Sequence, residues 1–455
     1  MQPDFAVFRN RHRVQSGLVR RSASWPAAVL TVLLLAAPAV AATGRTRGRA
    51  PRRPAVVDLV WHVETLAGEA VTSNLQDAPI NPASVVKVAT SLWALERLGP
   101  DFRFETRVFA RGEIDSARGV LKGDLVVRGA GDPDFQAESV FLVASALNQL
   151  GIKQVTGAVI VSRDFWIGWE NGSAGVDPDP VKRGLLMATR LRQTLDPRRW
   201  NGVTRRTWRE FALRRNLNLG YPPRVQVLGG VGVDGARTGE LVLVHRSGPL
   251  ASTLRRFNCF SNNDIERVGA DLGPVEELSS LLRVRCDAPA DAIQLETTSG
   301  LGTNRVTPRL VVRLLREFVA TCTRVGLSIE SVLPVVGCDP GTVERFFPRL
   351  QETPYTASVV GKTGTLTSTD GGVAVLAGIA RTASGDVAFC VAAPNARGKL
   401  HLARKTEEQW VLDLIARYGG PQPRTCAPPL GAPDGEAAII AVRASTASSS
   451  SAAGR

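Results

Sequence analysis

The spacing of apolar residues changes several times along the chain. The stretch AVVDLVWHVETLAGEAVTS alternates and is rich in Val, which predicts a β-hairpin turning at Ala67-Gly68. NPASVVKVATSLWALERLGP follows, with Leu92, Trp93, Leu95 and Leu98 on one helical face and Gly99-Pro100 as the stop. From about 104 to 240 the pattern is strand-like and turn-rich: FETRVFARG, GDLVVRGAGDPDF and GAVIVSRDFW. Two helical pieces lie within it, SVFLVASALNQLG and the basic run from Val181 to Asn216. LASTLRRFNCFSNNDIERVGADLG then reads as helices around a polar break, and VTPRLVVRLLREFVATC as an amphipathic helix with Pro308 in its first turn. TASVVGKTGTL, GGVAVLAGIAR and GDVAFCVAAP predict three strands, the last two joined by the turn TASG, as suits an antiparallel sheet. KTEEQWVLDLIARYGG closes the pattern as a helix with Trp410, Val411, Leu414, Ile415 and Tyr418 on one face. After Cys426 the chain turns to Ala, Ser, Pro and Gly, and 427–455 reads as a disordered tail.

The N-terminus adds a compartment. A basic leader precedes the short apolar run WPAAVLTVLLLAAPAVAA, which ends in Ala39-Val40-Ala41. Residues 1–41 therefore read as a secretory signal peptide, cleaved after Ala41 or kept as an anchor, and 42–55 as a basic linker. The expected location is periplasmic or otherwise extracytoplasmic, with at most peripheral membrane association. With 44% apolar residues over 455 positions the chain can bury more than one core. The net charge of +14 is compatible with attraction to an anionic polymer or membrane and equally with an Arg-rich coding bias. No zinc-finger spacing or aromatic-interleaved basic patch points to nucleic acid. Six cysteines in an exported chain permit disulfides or buried thiols, without CxxC pairs to assign them. Beyond the leader only His62, His245 and His401 remain, none at metal-ligand spacing, so no metal or organic cofactor is expected.

Three short motifs carry candidate chemistry: Ser84-Val85-Val86-Lys87, Ser261-Asn262-Asn263 and Lys362-Thr363-Gly364. Each has a plain reading: a helix cap, a solvated loop, a strand Lys facing water. Their order, on a helix start, an inter-helix turn and a strand of an exported chain, gives them a joint meaning. Ser84 and Lys87 are three residues apart on one helical face, so the amine can take the hydroxyl proton as Ser84 attacks a carbonyl. Ser261 can relay a proton to a leaving amine, and the Asn263 amide can hold Lys87 and a substrate carbonyl at once. Lys362 supplies charge for a terminal carboxylate, with the Thr363 and Thr365 hydroxyls beside it. Gly364 lets a peptide lie close against the strand. The Ser84 and Thr365 backbone N–H groups complete an oxyanion site.

With these motifs, and with LGPDFRFETRV, GDLVVRGAGDPDF, VHRSGPLASTLRRFNCFSNN and TSGLGTNRVTP around them, the chain resembles the D-alanyl-D-alanine carboxypeptidase/endopeptidase family typified by penicillin-binding protein 4. The resemblance runs over most of 55–420. It implies an α/β (α+β) fold of the serine β-lactamase/DD-peptidase type, an antiparallel sheet flanked by helices. It also implies a discontinuous penicillin-binding domain over 56–104 plus 241–425, with one or more inserted domains over 105–240. Peptidoglycan peptides ending in D-Ala-D-Ala are the implied substrates, and β-lactams the implied inhibitors. There are departures. Thr297-Thr298 stand where the family has Asp-Gly, Gly302 where it has Ser, and Ile265-Glu266-Arg267 where it tends to carry Ala-Glu. The region 169–225 resembles nothing in the family. A β-lactamase or esterase of the same superfamily, or a non-catalytic peptidoglycan-binding homologue, are the competing readings.

Overall fold

The computed structural model describes residues 57–233 and 239–442. The leader and linker expected over 1–55 lie outside the described residues. Strands β1 (Val60–Thr65) and β2 (Ala70–Asn74) form the hairpin read from the sequence. They join β12 (Val359–Leu366), β13 (Val373–Ala380) and β14 (Val387–Pro394) in an antiparallel sheet of order β12-β13-β14-β1-β2. The strands β13 and β14 are buried almost throughout, which explains their unbroken apolar runs. Helix α8 (Pro308–Arg324) covers one face and α10 (Leu400–Arg417) the other. The Thr307 side chain caps α8 by accepting from Leu310 N, with Pro308 at its first position. Leu310, Val311, Leu314, Leu315, Phe318 and Cys322 form its buried stripe. Helix α10 starts five residues before the predicted segment, and its buried side includes Glu407 and Glu408 beside the expected Val411, Leu414 and Ile415.

Helix α1 (Val86–Leu98) runs through the core of this unit and is buried from Val86 to Leu95. It packs against α8 and against α5 (Leu250–Phe260), α6 (Ile265–Leu272) and α7 (Val275–Arg285). A small two-stranded ladder of β10 (Ile293–Gln294) and β11 (Arg305–Val306) lies alongside.

The insert is built on a second sheet. The long hairpin of β3 (Glu105–Asp115) and β4 (Val120–Arg128) is extended by the short strands β5 (Gln154–Val155), β6 (Val159–Val161), β7 (Gln226–Val227) and β8 (Val231–Val233). Helices α2 (Ala137–Gln149) and α3 (Pro180–Leu195) pack beside it, and α4 (Gly202–Arg214) packs on α2. Strand β9 (Glu240–Arg246) pairs with β3, so residues assigned from sequence to the peptidase domain from 241 onward complete the inserted sheet instead. Alternation marks a strand in sequence, but its partner is set by contacts far away in the chain.

The tail expected to be disordered from 427 is ordered as far as 442. Its strand β15 (Ala438–Ala441) pairs antiparallel with β9. Upstream of it, Arg255 donates to Pro428 O, and the buried Asp434 carboxylate accepts from Arg214 and Arg215. A disulfide, Cys338–Cys426, fixes the start of this strap, while Cys259, Cys286, Cys322 and Cys390 are buried thiols. The composition of the strap lacks apolar periodicity, and the arginines that hold it lie in other elements. Residues 443–455 of the expected tail are outside the described residues.

Candidate active site

The three motifs converge where α1 begins, α5 ends and β12 runs past. A short 3₁₀ turn, Ala83–Val85, leads into α1 and carries Ser84 at its centre. Ala83 has φ 48°, and its N–H is held by the Asn81 side chain. Asn81 in turn donates to Gly302 O and to Asp370, which is paired with Arg305. Ser84 is half-buried. One turn on, Lys87 is completely buried. Its Nζ lies 2.9 Å from Ser84 Oγ, 2.8 Å from Asn263 Oδ1 and 2.7 Å from Ser299 O.

Burial pushes the Lys87 pKa well below the ordinary amine value, and the neighbouring Lys362 charge lowers it further; Glu266 and Asp264 pull the other way. Burial and the Lys362 charge both favour the neutral amine, and the neutral form fits its partners. Its two N–H bonds then go to Asn263 Oδ1 and Ser299 O, both acceptors. Its lone pair is left for the Ser84 hydroxyl proton.

Ser261 caps α5 at φ 54° and faces Lys362, whose Nζ is 2.9 Å from Ser261 Oγ and 2.9 Å from Thr363 O. Lys362 is also fully buried, and burial brings its pKa down to about 7. Its charge at neutral pH is therefore easily strengthened by an arriving carboxylate. The Thr363 hydroxyl lies 2.8 Å from that of Thr342, and the Thr365 hydroxyl 3.1 Å from Arg404 Nη2. The guanidinium of Arg404 stacks 3.6 Å above the Phe346 ring. At Gly364 a Cβ would stand 2.5 Å from Pro82 O, so only glycine lets β12 lie against the Ser84 turn. Among the described residues, the outer edge of β12 beyond the Val335–Val360 bridge has no strand partner.

All eight residues picked from the sequence are thus in or beside one cleft. Asn263 differs in detail: its Nδ2 donates to Asn171 Oδ1 at 2.9 Å, so the group expected to meet a substrate carbonyl is already engaged. The sequence reading missed Asn171, Glu266, Ser299, Thr342 and Arg404 as members of the site. Ser299 stands inside TSGLGTNRVTP and could have been found there, whereas Asn171 lies in a stretch, 169–225, where the sequence alone offered no motif. Among the described residues no group of three or more His, Cys, Asp or Glu side chains could hold a metal ion. No described helix is long and apolar enough to cross a membrane.

The fold is that of the penicillin-binding DD-peptidases. It matches a penicillin G-acylated predatory endopeptidase of Bdellovibrio bacteriovorus with a TM-score of 0.69 at 21% identity, covering 85% of this chain and 100% of that one. The sequence matches the family model for D-Ala-D-Ala carboxypeptidase 3 (S13) over residues 55–183 and 224–413, and the chain belongs to that family. A D-alanyl-D-alanine carboxypeptidase of Haemophilus influenzae is 34% identical over 93 residues, which is 19% of each chain. A carboxypeptidase of Mycobacterium tuberculosis is 24% identical over 343 residues, 69% of this chain and 71% of that one. The family model thus matches the stretch 169–225 as far as residue 183, and the segment 184–223, with most of α3 and all of α4, falls between the two matched blocks.

Proposed function

We propose that the protein is an exported serine-type D-alanyl-D-alanine carboxypeptidase and endopeptidase acting on peptidoglycan stem peptides or their cross-bridges. One observation carries the reading: the buried Lys87 amine touches Ser84 Oγ while its other two partners are both acceptors. The substrate peptide lies along the open edge of β12 as an added strand. Its terminal carboxylate sits by Lys362, with the Thr363 and Thr365 hydroxyls to donate to it and the Arg404 guanidinium adding to the local positive field. Lys87 takes the Ser84 proton, and Ser84 Oγ attacks the carbonyl of the penultimate D-Ala. The backbone N–H groups of Ser84 and Thr365 receive the oxyanion. The proton passes through Ser261 to the leaving amine, and water then releases the acyl group. A penicillin offers the same carboxylate beside a strained amide, as in the acylated Bdellovibrio endopeptidase.

The test is the intact mass of the protein after incubation with a penicillin, for the wild type and Ser84→Ala. A lasting adduct on the wild type alone supports the peptidase. Hydrolysed drug with no lasting adduct favours a β-lactamase. Neither adduct nor hydrolysis favours a non-catalytic peptidoglycan-binding protein.

A further inference from the structure

The insert reaches the acylation centre through one tight turn, Glu170–Ser173, which lies near the end of the first block matched by the family model. The turn is pinned from below by α6. The wholly buried Asp264 carboxylate accepts three successive backbone N–H groups, from Glu170 (2.8 Å), Asn171 (3.3 Å) and Gly172 (3.2 Å). Arg267, stacked 3.9 Å over Trp166, balances its charge at 2.9 Å. Glu266 accepts from Ser173 N at 2.6 Å and bonds the Ser299 hydroxyl, so the turn is also tied to the residue whose carbonyl holds Lys87. Asn171 and Gly172 both have left-handed backbones, φ 65° and 63°. A Cβ at Gly172 would stand 2.7 Å from Asn263 O, so the turn is pressed directly onto the second motif. Among the described residues the Asn263 side chain hydrogen-bonds Lys87 on the oxygen side and Asn171 on the nitrogen side.

We propose that Asn171 is a positioning residue for the acylation step: its side-chain oxygen holds the Asn263 amide in the one orientation that leaves Lys87 a free lone pair for Ser84. A neutral amine does not choose between the two ends of a facing amide, since it can donate to the oxygen or accept from the nitrogen. If Asn263 turned over, its NH₂ would donate to the Lys87 lone pair and quench the base. An acceptor fixed on the far side removes that alternative. The three N–H bonds to Asp264 fix the backbone that carries the acceptor, in a conformation that Asn, Asp and Gly tolerate best.

This inference rests on Ser84 and Lys87 being nucleophile and base. Its test compares Asn171→Gly, which keeps the left-handed turn and deletes the acceptor, with Asn171→Asp, which can only accept. The readout is the second-order rate constant of acylation by benzylpenicillin as a function of pH, with thermal unfolding as the folding control. The groups facing Lys87 whose charge sets this profile are Lys362 from β12, and Glu266 and Asp264 from α6 and its cap. Asn171→Gly is expected to lower the plateau roughly tenfold, the size of one lost orienting hydrogen bond, with unfolding unchanged. Asn171→Asp is expected to keep the plateau and move the acid limb to higher pH, because its charge favours protonated Lys87. An Asn171→Gly variant as fast as the wild type overturns the inference, and so does an equal loss in both variants. A wild type that penicillin never acylates removes the peptidase reading and this inference together, whereas a normally acylated Asn171→Gly variant removes this inference alone.

Discussion

In the proposed mechanism Lys362 and Lys87, two buried amines of one site, have opposite duties. Lys87 must be uncharged to act as base, and Lys362 must be charged to hold a carboxylate. The rate of acylation should therefore rise with pH as Lys87 deprotonates, below the ordinary amine range, and fall again above about 7 as Lys362 loses its proton. Bound carboxylate shifts that second limb upward. Lys362→Met should cost roughly tenfold or more with a carboxylate-bearing penicillin and abolish the alkaline limb, which a stopped-flow pH series would read. The same depression has a sign for stability. Unfolded Lys362 binds its proton at a higher pH than the folded residue does, so its contribution is full above the ordinary amine value and lost as pH falls towards about 7. Ser84 and Lys87 were legible because a three-residue spacing on a helix is a local fact. Asn171 was not, because its meaning comes from Asp264 and Asn263, far away in the chain. Nor was the burial of Glu407, whose pKa burial raises well above the carboxylate range: an acid beside a helix's apolar stripe reads as solvent-facing.

At the scale of elements, the cleft depends on how closely β12 passes the Ser84 turn. Gly364→Ala would force a Cβ to within 2.5 Å of Pro82 O, so strand or turn must move apart. The expected result is at least a tenfold loss of acylation, since a misplacement of about 1 Å costs on that order or more. The melting temperature should also fall, with Ser84→Ala as the reference for a variant that leaves the backbone alone. The elements themselves were largely readable. Three apolar strands, a capped α8 and the helices on either side of Ser261 follow from periodicity and from Pro, Gly and Thr at their ends. The assignments that failed were pairings. The β9 segment, from 241 onward, was assigned to the peptidase domain, and the β15 segment, within an Ala- and Pro-rich stretch, looked like no strand at all.

Across the whole molecule, the strap 427–442 connects the two units that the first hairpin and the insert define. Its hold is part covalent, through Cys338–Cys426, and part ionic, through Asp434. Cys426→Ser should lower stability by about 2–4 kcal/mol in urea unfolding. It should also make the strap the first site of limited proteolysis, with Ser84 acylation retained in the intact fraction.

The strap also sets a timetable. The sheet opened by β3 cannot close its β9 edge until β15 arrives, and β15 is made only after the whole of the five-stranded sheet and α10 have been synthesised. Synthesised from the N-terminus, the chain carries β9 as an unpaired strand edge until its last described strand is made. The last strand of the inserted sheet therefore comes from beyond the catalytic unit, and the complete edge waits on the chain behind it.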